Sequence, residues 1–405
     1  MNAIENISLS KVGELRMGET IIEKDCTGEG LPIYSADKSN RPWAYSTHFK
    51  RLNQYGTIVL GARGTIGYPR LPKEAVFGAT QTTITLRPDS EKFVPEFIYY
   101  ALQQLDFSLL SAQQAIPMLT VGNLEAVSVP RYPYPEQSKI AEVLSKVDQA
   151  IEQTESLIAK QQRIKTGLMQ DLLTRGIDEH GNLRSEETHE FKDSPLGRIP
   201  VEWKTKQLIE ITPSNSPIGY GIVQPGAYDY KGVKVAGIYT INSQFRDWHM
   251  SSAKIEQAYV RSRIVPGDVL LSIKGTTGRV GVVPSGITGN ISREIARIRP
   301  VKEINPQYLK WLMLSDFFQR YLSNAEVGTT RAELSIKILR EMFVLQPPFP
   351  EQNEIAKRIS SAEKLIKTSS ISLDKLKCLK TALMQDLLTG KKRVTPLMEN
   401  MEVCS

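Results

Sequence analysis

Two short stretches of this sequence pair a basic residue with closely spaced glycines: Gly56-Thr-Ile-Val-Leu60 leading to Arg63-Gly-Thr-Ile-Gly67, and Gly267-Asp-Val-Leu-Leu271 leading to Lys274-Gly-Thr-Thr-Gly278. The pattern places a strand, then a basic residue, then a turn whose backbone amides can approach a phosphate closely. Two uses fit it: phosphate contact, or a tight hairpin whose basic residue is merely solvated. It is not a Walker A loop, because no Gly-Lys-[Ser/Thr] closes it. Charge around the first copy favours an anionic partner. Lys38, Arg41, Lys50, Arg51, Arg63, Arg70 and Lys73 fall in a stretch of 36 residues without one Asp or Glu. From Phe191 to Gln346 there are 21 Lys and Arg against 13 Asp and Glu, so each half of a chain of net charge +7 carries its own basic region.

Catalytic chemistry has less to work with. The four histidines (His48, His180, His189, His249) stand at no ligand or triad spacing, and Cys26, Cys378 and Cys404 form no Cys-x-x-Cys pair. Neither a zinc site nor a disulfide framework is expected, and no catalytic, cofactor-binding or metal-binding residue is assigned. Asn305-Pro-Gln-Tyr308 is similar to the Asn-Pro-Pro-[Tyr/Phe] signature with which amino-methyltransferases hold a flipped adenine, but it lacks the second proline. No glycine-rich strand-loop-helix offers a site for S-adenosylmethionine, and no carboxylate cluster with a lysine suggests a nuclease centre.

The elements that must position these residues come in duplicate. Pro133-Tyr-Pro-Glu-Gln137 recurs as Pro348-Phe-Pro-Glu-Gln352, and Leu168-Met-Gln-Asp-Leu-Leu-Thr174 recurs as Leu383-Met-Gln-Asp-Leu-Leu-Thr389, both at an offset of 215. Upstream the match continues at an offset of 211 through the two glycine motifs and through Val94-Pro-Glu-Phe-Ile98 against Asn305-Pro-Gln-Tyr-Leu309. The second half of the near-signature is thus a duplicated helix start.

Each 42-residue block reads as one long helix. Ile140, Leu144, Val147, Ile151, Ile158, Leu168 and Leu172 follow an alternating four-three spacing, with Thr154, Gln161 and Lys165 at the remaining positions. Ile355, Ile359, Ala362, Ile366, Leu373, Leu376, Leu383 and Leu387 repeat the register, interrupted by Ser369 and Lys380. A period of 3.5 with charged outer positions is a coiled-coil seam. Prolines precede each block and Gly176 and Gly390 follow as stops. The simplest use of two matching seams is to bury them against each other, and a two-fold relation between the halves makes the pair antiparallel. A helix of about 40 residues spans roughly 60 Å, a spacer's length.

The expected fold class is α+β, with two globular domains and two long helices in a pseudo-two-fold repeat: 1–132 and 187–347 globular, 133–186 the first helix and its linker, 348–390 the second helix, and 391–405 a disordered tail. Strands are expected over 55–60, 81–86, 268–273 and 292–299, helices over 95–110 and 306–322, and return segments over 119–130 and 334–345. Length, 40% apolar and 23% charged content are those of a globular protein. The start MNAIENISLS lacks a leader pattern and no stretch is apolar enough to span a bilayer, so no membrane association and a cytoplasmic location are expected.

Two divergent units, each followed by a helix opening on P-[YF]-P-E-Q and closing on L-M-Q-D-L-L-T, resemble the specificity subunits of type I restriction-modification systems across essentially the whole chain. The resemblance implies two target-recognition domains, each reading half of a bipartite asymmetric site in double-stranded DNA, and helices that act as a ruler fixing the gap. It implies two modification subunits, which carry S-adenosylmethionine and methylate adenine at N6, and restriction subunits that use ATP and Mg, with no cofactor on this chain. Candidate DNA contacts are Arg41, Lys50, Arg51, Arg63 and Arg70 in the first unit and Asn242, Gln244, Arg246, Lys274, Arg279 and Arg293 in the second. The outer faces of 133–174 and 348–389 are expected to seat the two modification subunits. Competing readings are a coiled-coil adaptor gripping protein or RNA, and a self-sufficient adenine methyltransferase using Asn305 to Tyr308.

Overall fold

The computed structural model describes residues 4–39, 41–107, 110, 118–325 and 333–396. They divide into two compact units, one of residues 1–156 and 370–405, the other of residues 157–369. The division runs through both long helices, which span Tyr134–Leu172 and Phe349–Leu388.

In the first unit one sheet has the strand order Gly13–Met17, Thr83–Pro88, Ile58–Gly61, Pro69–Arg70, all antiparallel. A second has the order Ala44–Ser46, Leu31–Tyr34, Val76–Ala79, Asn53–Gln54, with its central pair parallel. Asn6–Ser8 and Ser128–Pro130 form a further antiparallel pair. The second unit repeats this plan. Gly219–Tyr220, Ile295–Ile298, Val269–Ser272 and Val280–Val282 make the four-stranded sheet; His249–Ser251, Val233–Ala236 and Asn290–Ile291 make the mixed one; Lys204–Gln207 pairs with Phe343–Gln346. The duplication therefore extends through the regions where the two sequences have diverged.

The expected strands are present as Ile58–Gly61, Thr83–Pro88, Val269–Ser272 and Ile295–Ile298, nearly all of whose residues are buried, Arg297 among them. The expected helix over 95–110 is observed as Pro95–Gln103, part of its remainder lying outside the described residues. The one over 306–322 is two helices, Pro306–Leu314 and Asp316–Ala325. Ser315 separates them: its backbone is extended and its hydroxyl accepts the Phe318 amide, so it starts a new helix rather than continuing the old one.

Every seam position named above is buried or half-buried, whereas the intervening outer positions are largely exposed. In the first unit Ile140, Ala141 and Leu144 share one hydrophobic core with Met384, Leu387 and Leu388. In the second, Leu172 and Leu173 share a core with Ile355, Ala356 and Ile359. Each core is thus closed by the start of one long helix and the end of the other. The helices run antiparallel in both units: Asp148 pairs with Lys380 at 2.8 Å and Glu155 with Lys377 at 2.8 Å, while Lys165 pairs with Glu363 and the amide of Ile177 donates to Glu351.

The repeated Pro-[Tyr/Phe]-Pro-Glu-Gln motif has a physical purpose in this packing. Gln137, 1% exposed, donates to the carbonyls of Lys92 (3.1 Å) and Tyr132 (2.8 Å) and accepts the amide of Val94 (3.0 Å). Gln352, 0% exposed, donates to the carbonyls of Glu303 (3.0 Å) and Pro347 (2.9 Å) and accepts the amide of Asn305 (2.8 Å). One side chain so saturates three backbone groups that burial would otherwise leave unpaired. The preceding glutamate ties the second helix in. Glu136 holds Arg393 in a bidentate pair at 2.8 and 2.5 Å. Glu351 holds Arg184 at 2.6 and 3.3 Å and also accepts Trp203 Nε1 at 3.1 Å.

The Arg393 pair corrects the expected disordered tail. Residues 391–396 are ordered onto the first unit, with Val394 1% exposed; 397–405 lie outside the described residues. The glycine stops hold: Gly176 and Gly390 have φ of +63° and +76°.

Replacing Gln137 with Ala strands three buried backbone groups, at a cost of about 2–3 kcal/mol. Thermal unfolding of the variant is expected to show a melting transition about 4–8 °C lower, and Gln352→Ala is expected to behave alike.

Candidate nucleic-acid interface

In the first unit three loops meet at one end of the sheets. The connection 35–43 follows the strand Leu31–Tyr34; the glycine turn 63–67 follows Ile58–Gly61; and residues 80–82 precede Thr83–Pro88. Thr82 is the junction. Its carbonyl accepts the amides of Ala62 (2.8 Å) and Arg63 (3.1 Å), and its hydroxyl accepts the amide of Ala36 (3.2 Å). A Cβ on Gly64 would lie 3.5 Å from the carbonyl oxygen of Ala36, so the turn runs directly beside the connection. Lys38 and the turn also line a cavity of about 520 Å³.

The second unit brings together the counterparts. A Cβ on Gly275 would lie 3.6 Å from the Ile238 side chain, and one on Gly237 3.8 Å from Glu294 and 3.9 Å from Ser292. The connection 237–248, the glycine turn 274–278 and residues 292–294 are therefore neighbours. Asn242, Gln244, Arg246 and Arg293 lie on these three segments, Arg279 directly follows the glycine turn, and all five are exposed.

The glycine turns themselves are hairpins. Gly64, Gly67, Gly275 and Gly278 have φ between +70° and +89°, and the amides of Gly67 and Gly278 donate inward to the carbonyls of Gly61 (2.7 Å) and Ser272 (3.0 Å). A side chain at Gly67 would strike Phe107, 2.3 Å away, and one at Gly278 would strike Gln319, 2.4 Å away. Glycine is required here for turn conformation and packing, and two of the amides proposed for phosphate are already used.

Of the first-unit candidates, Arg41 is exposed on the connection 35–43 and Arg63 is exposed on the turn, its Nε 3.0 Å from Met118 Sδ. Lys50 and Arg51 are exposed on the separate stretch before the strand Asn53–Gln54, where the Lys50 amide donates to Glu19. Arg70 must be withdrawn as a direct contact. It is 3% exposed, donates to Asp37 (3.2 Å) and to the carbonyl of Ser39 (3.0 Å), and lies over the Tyr34 ring. Burial pushes its pKa down and Asp37 pulls it back up, leaving a guanidinium that ties down the connection 35–43 from beneath. Lys274 is half-buried and ion-paired with Glu333 at 2.7 Å rather than free.

Asn305 has structural work. Its side chain caps the helix Pro306–Leu314 by accepting the amides of Gln307 (2.7 Å) and Tyr308 (3.1 Å), and Tyr308 is fully buried with its hydroxyl on the carbonyl of Leu345. A tyrosine in that position cannot stack on an extruded base. Among the described residues there is no cluster of three or more metal-ligating side chains, and no helix is long and apolar enough to cross a membrane.

The family model for the type I restriction modification DNA specificity domain matches residues 1–161 and 200–377, one match on each copy of the repeat. The chain belongs to this family. It is 27% identical over 341 residues to the type I restriction enzyme EcoBI specificity subunit of Escherichia coli, covering 80% of this chain and 71% of that one. It is 25% identical over 361 residues to the MjaVIII specificity subunit of Methanocaldococcus jannaschii, covering 85% and 81%. The fold matches that of the S subunit of the type I restriction-modification system from M. genitalium with a TM-score of 0.63 at 20% identity, over 96% of this chain and 97% of that one. The chain is a DNA sequence-specificity subunit of mixed helix and sheet, in a family whose members recognise rather than catalyse.

What sequence reading missed at this interface is Tyr239, 82% exposed on the short helix Ile238–Asn242 of the connection 237–248. A helix of five residues carries too little periodic signal to be read from sequence, so only the fold reveals it.

The contrast between two arginines is testable. Arg63→Ala is expected to leave the melting temperature unchanged while weakening binding to every DNA sequence and lowering the salt slope by about one. Arg70→Ala is expected to lower stability by about 1–2 kcal/mol through the lost packing of its buried side chain and the freed connection, read by thermal unfolding.

Proposed function

We propose that this chain reads a bipartite, asymmetric site in double-stranded DNA, one half-site per unit, and that the paired long helices set the gap between the half-sites. The observation that carries this is the repeated topology with unlike connections: the segments 35–43 and 237–248 occupy the same place in the two copies but differ in length and side chains. Same scaffold with different reading loops means two different half-sites. Exposed basic residues supply salt-dependent affinity through phosphates, and Asn, Gln and Arg side chains supply discrimination at base edges.

The chain works as the non-catalytic member of a complex. Two modification subunits bearing S-adenosylmethionine, and restriction subunits using ATP and Mg, supply the chemistry. The duplicated helices support two such seats, because the opening Pro-[Tyr/Phe]-Pro-Glu-Gln run and the closing Leu-Met-Gln-Asp-Leu-Leu-Thr run of 133–174 recur in 348–389. Tyr134 and Phe349, equivalent in the repeat, are exposed to 45% and 43% and fit an anchor for a partner present twice. A cytoplasmic location follows from access to chromosomal DNA.

Mapping N6-methyladenine across the host genome with and without this gene tests the proposal. The expected result is one motif, lost on deletion, made of two unlike half-sites separated by a constant number of unspecified bases. A deletion strain with an unaltered methylation pattern would overturn it.

A further inference from the structure

The connection 237–248 in the second unit contains the two non-glycine residues with positive φ among those described, and they are consecutive: Gln244 at +54° and Phe245 at +66°. Left-handed backbone costs a residue with a side chain about 1 kcal/mol or more, and glycine would remove that cost. The strain is held by a closed set of bonds. The Phe245 amide donates to the carbonyl of Thr240 (2.7 Å), the Gln244 amide to Ile241 (3.1 Å), the Asp247 amide to the Ser243 hydroxyl (2.9 Å), and Trp248 Nε1 to the carbonyl of Phe245 (2.9 Å). The Phe245 ring is turned inward, where a Cβ on Gly281 would lie 3.1 Å from it. Phe245 anchors the turn, and Gln244 is left on its exposed crest.

The amide of Gln244 is oriented from behind. Lys367, on the second long helix, donates from Nζ to Gln244 Oε1 at 2.9 Å. An amide oxygen has two lone pairs, so this bond fixes which end of the amide is oxygen and leaves that oxygen one acceptor site and the nitrogen its two donors. An acceptor beside a donor is the pair that matches the N6 amino group and N7 of adenine in the major groove.

We propose that Gln244 is a specificity-determining residue of the second unit, reading an adenine, with Phe245 and Lys367 as its positioning residues. This rests on the DNA-reading role proposed above and goes beyond it in naming a residue, a base and the device that presents the one to the other. Holding a strained backbone under a non-glycine side chain makes sense if that side chain does work which glycine cannot. Pre-organisation supplies the gain, since a fixed amide loses little freedom on meeting its base.

The test is selection from a pool of duplexes randomised across the site, using the full chain purified with whatever chains accompany it in its host, as wild type, Gln244→Gly and Lys367→Met. Wild type is expected to select a consensus with an adenine in one half-site. Gln244→Gly is expected to melt at the same temperature or higher, because strain is relieved, and to lose about tenfold to hundredfold of its preference at that single position while the rest of the consensus stands. Lys367→Met is expected to weaken the same position and no other. A consensus unchanged in Gln244→Gly, or a uniform loss across all positions, would overturn the assignment of Gln244 while leaving the DNA-reading role intact. A wild-type chain that selects no consensus would overturn both.

Discussion

The largest hydrophobic core in each unit depends on the burial of a seam that neither long helix could bury by itself. Ile140 and Leu144 open one helix and close a core with Leu387 and Leu388 from the end of the other; Ile355 and Ile359 do the same with Leu172 and Leu173. An isolated helix of this polarity would leave its apolar stripe in water, and two of them in matching register remove it from water together. The buried glutamines and the Glu–Arg pairs then fix where each helix begins against its unit. Everything on the reading side is hung from these fixed points: Gln137 bonds the backbone just before the helix Pro95–Gln103, and Gln352 does so before Pro306–Leu314.

The scaffold was legible in the sequence because a repeat of seven residues over forty positions is long and has one physical cause. The seam positions and the helix ends follow from it, and the α+β class from the strand-like and helical runs of the two units. Burial of polar residues was not legible, because it is decided by partners far away in the chain. Arg70 sits in a basic stretch and reads as a surface charge, yet Asp37, 33 residues earlier, draws it inside. Lys274 reads as free until Glu333 is brought beside it. Gln137 and Gln352 read as ordinary helix starts, although each saturates three backbone groups.

The interface shows the same division between scaffold and display. The glycine turns, whose pattern fits either phosphate contact or a tight hairpin, are hairpins that pack against Phe107 and Gln319. The segments 35–43 and 237–248, which differ in length and sequence between the copies, are placed at the sheet ends beside them. They are tied down by different means, Arg70 bonding Asp37 and the carbonyl of Ser39 in the first and Phe245 packing within the second. Recognition can change there without disturbing the seams, which are built from other residues.

The central claim is that the paired helices set the distance between the half-sites. Inserting one heptad at matching positions in both helices keeps the seam in phase and lengthens the pair by about 10 Å, which is about three base pairs along the duplex. Sequencing the methylated sites produced by the lengthened protein should yield the same two half-sites with about three more base pairs between them. The same half-sites at the original spacing would contradict the account.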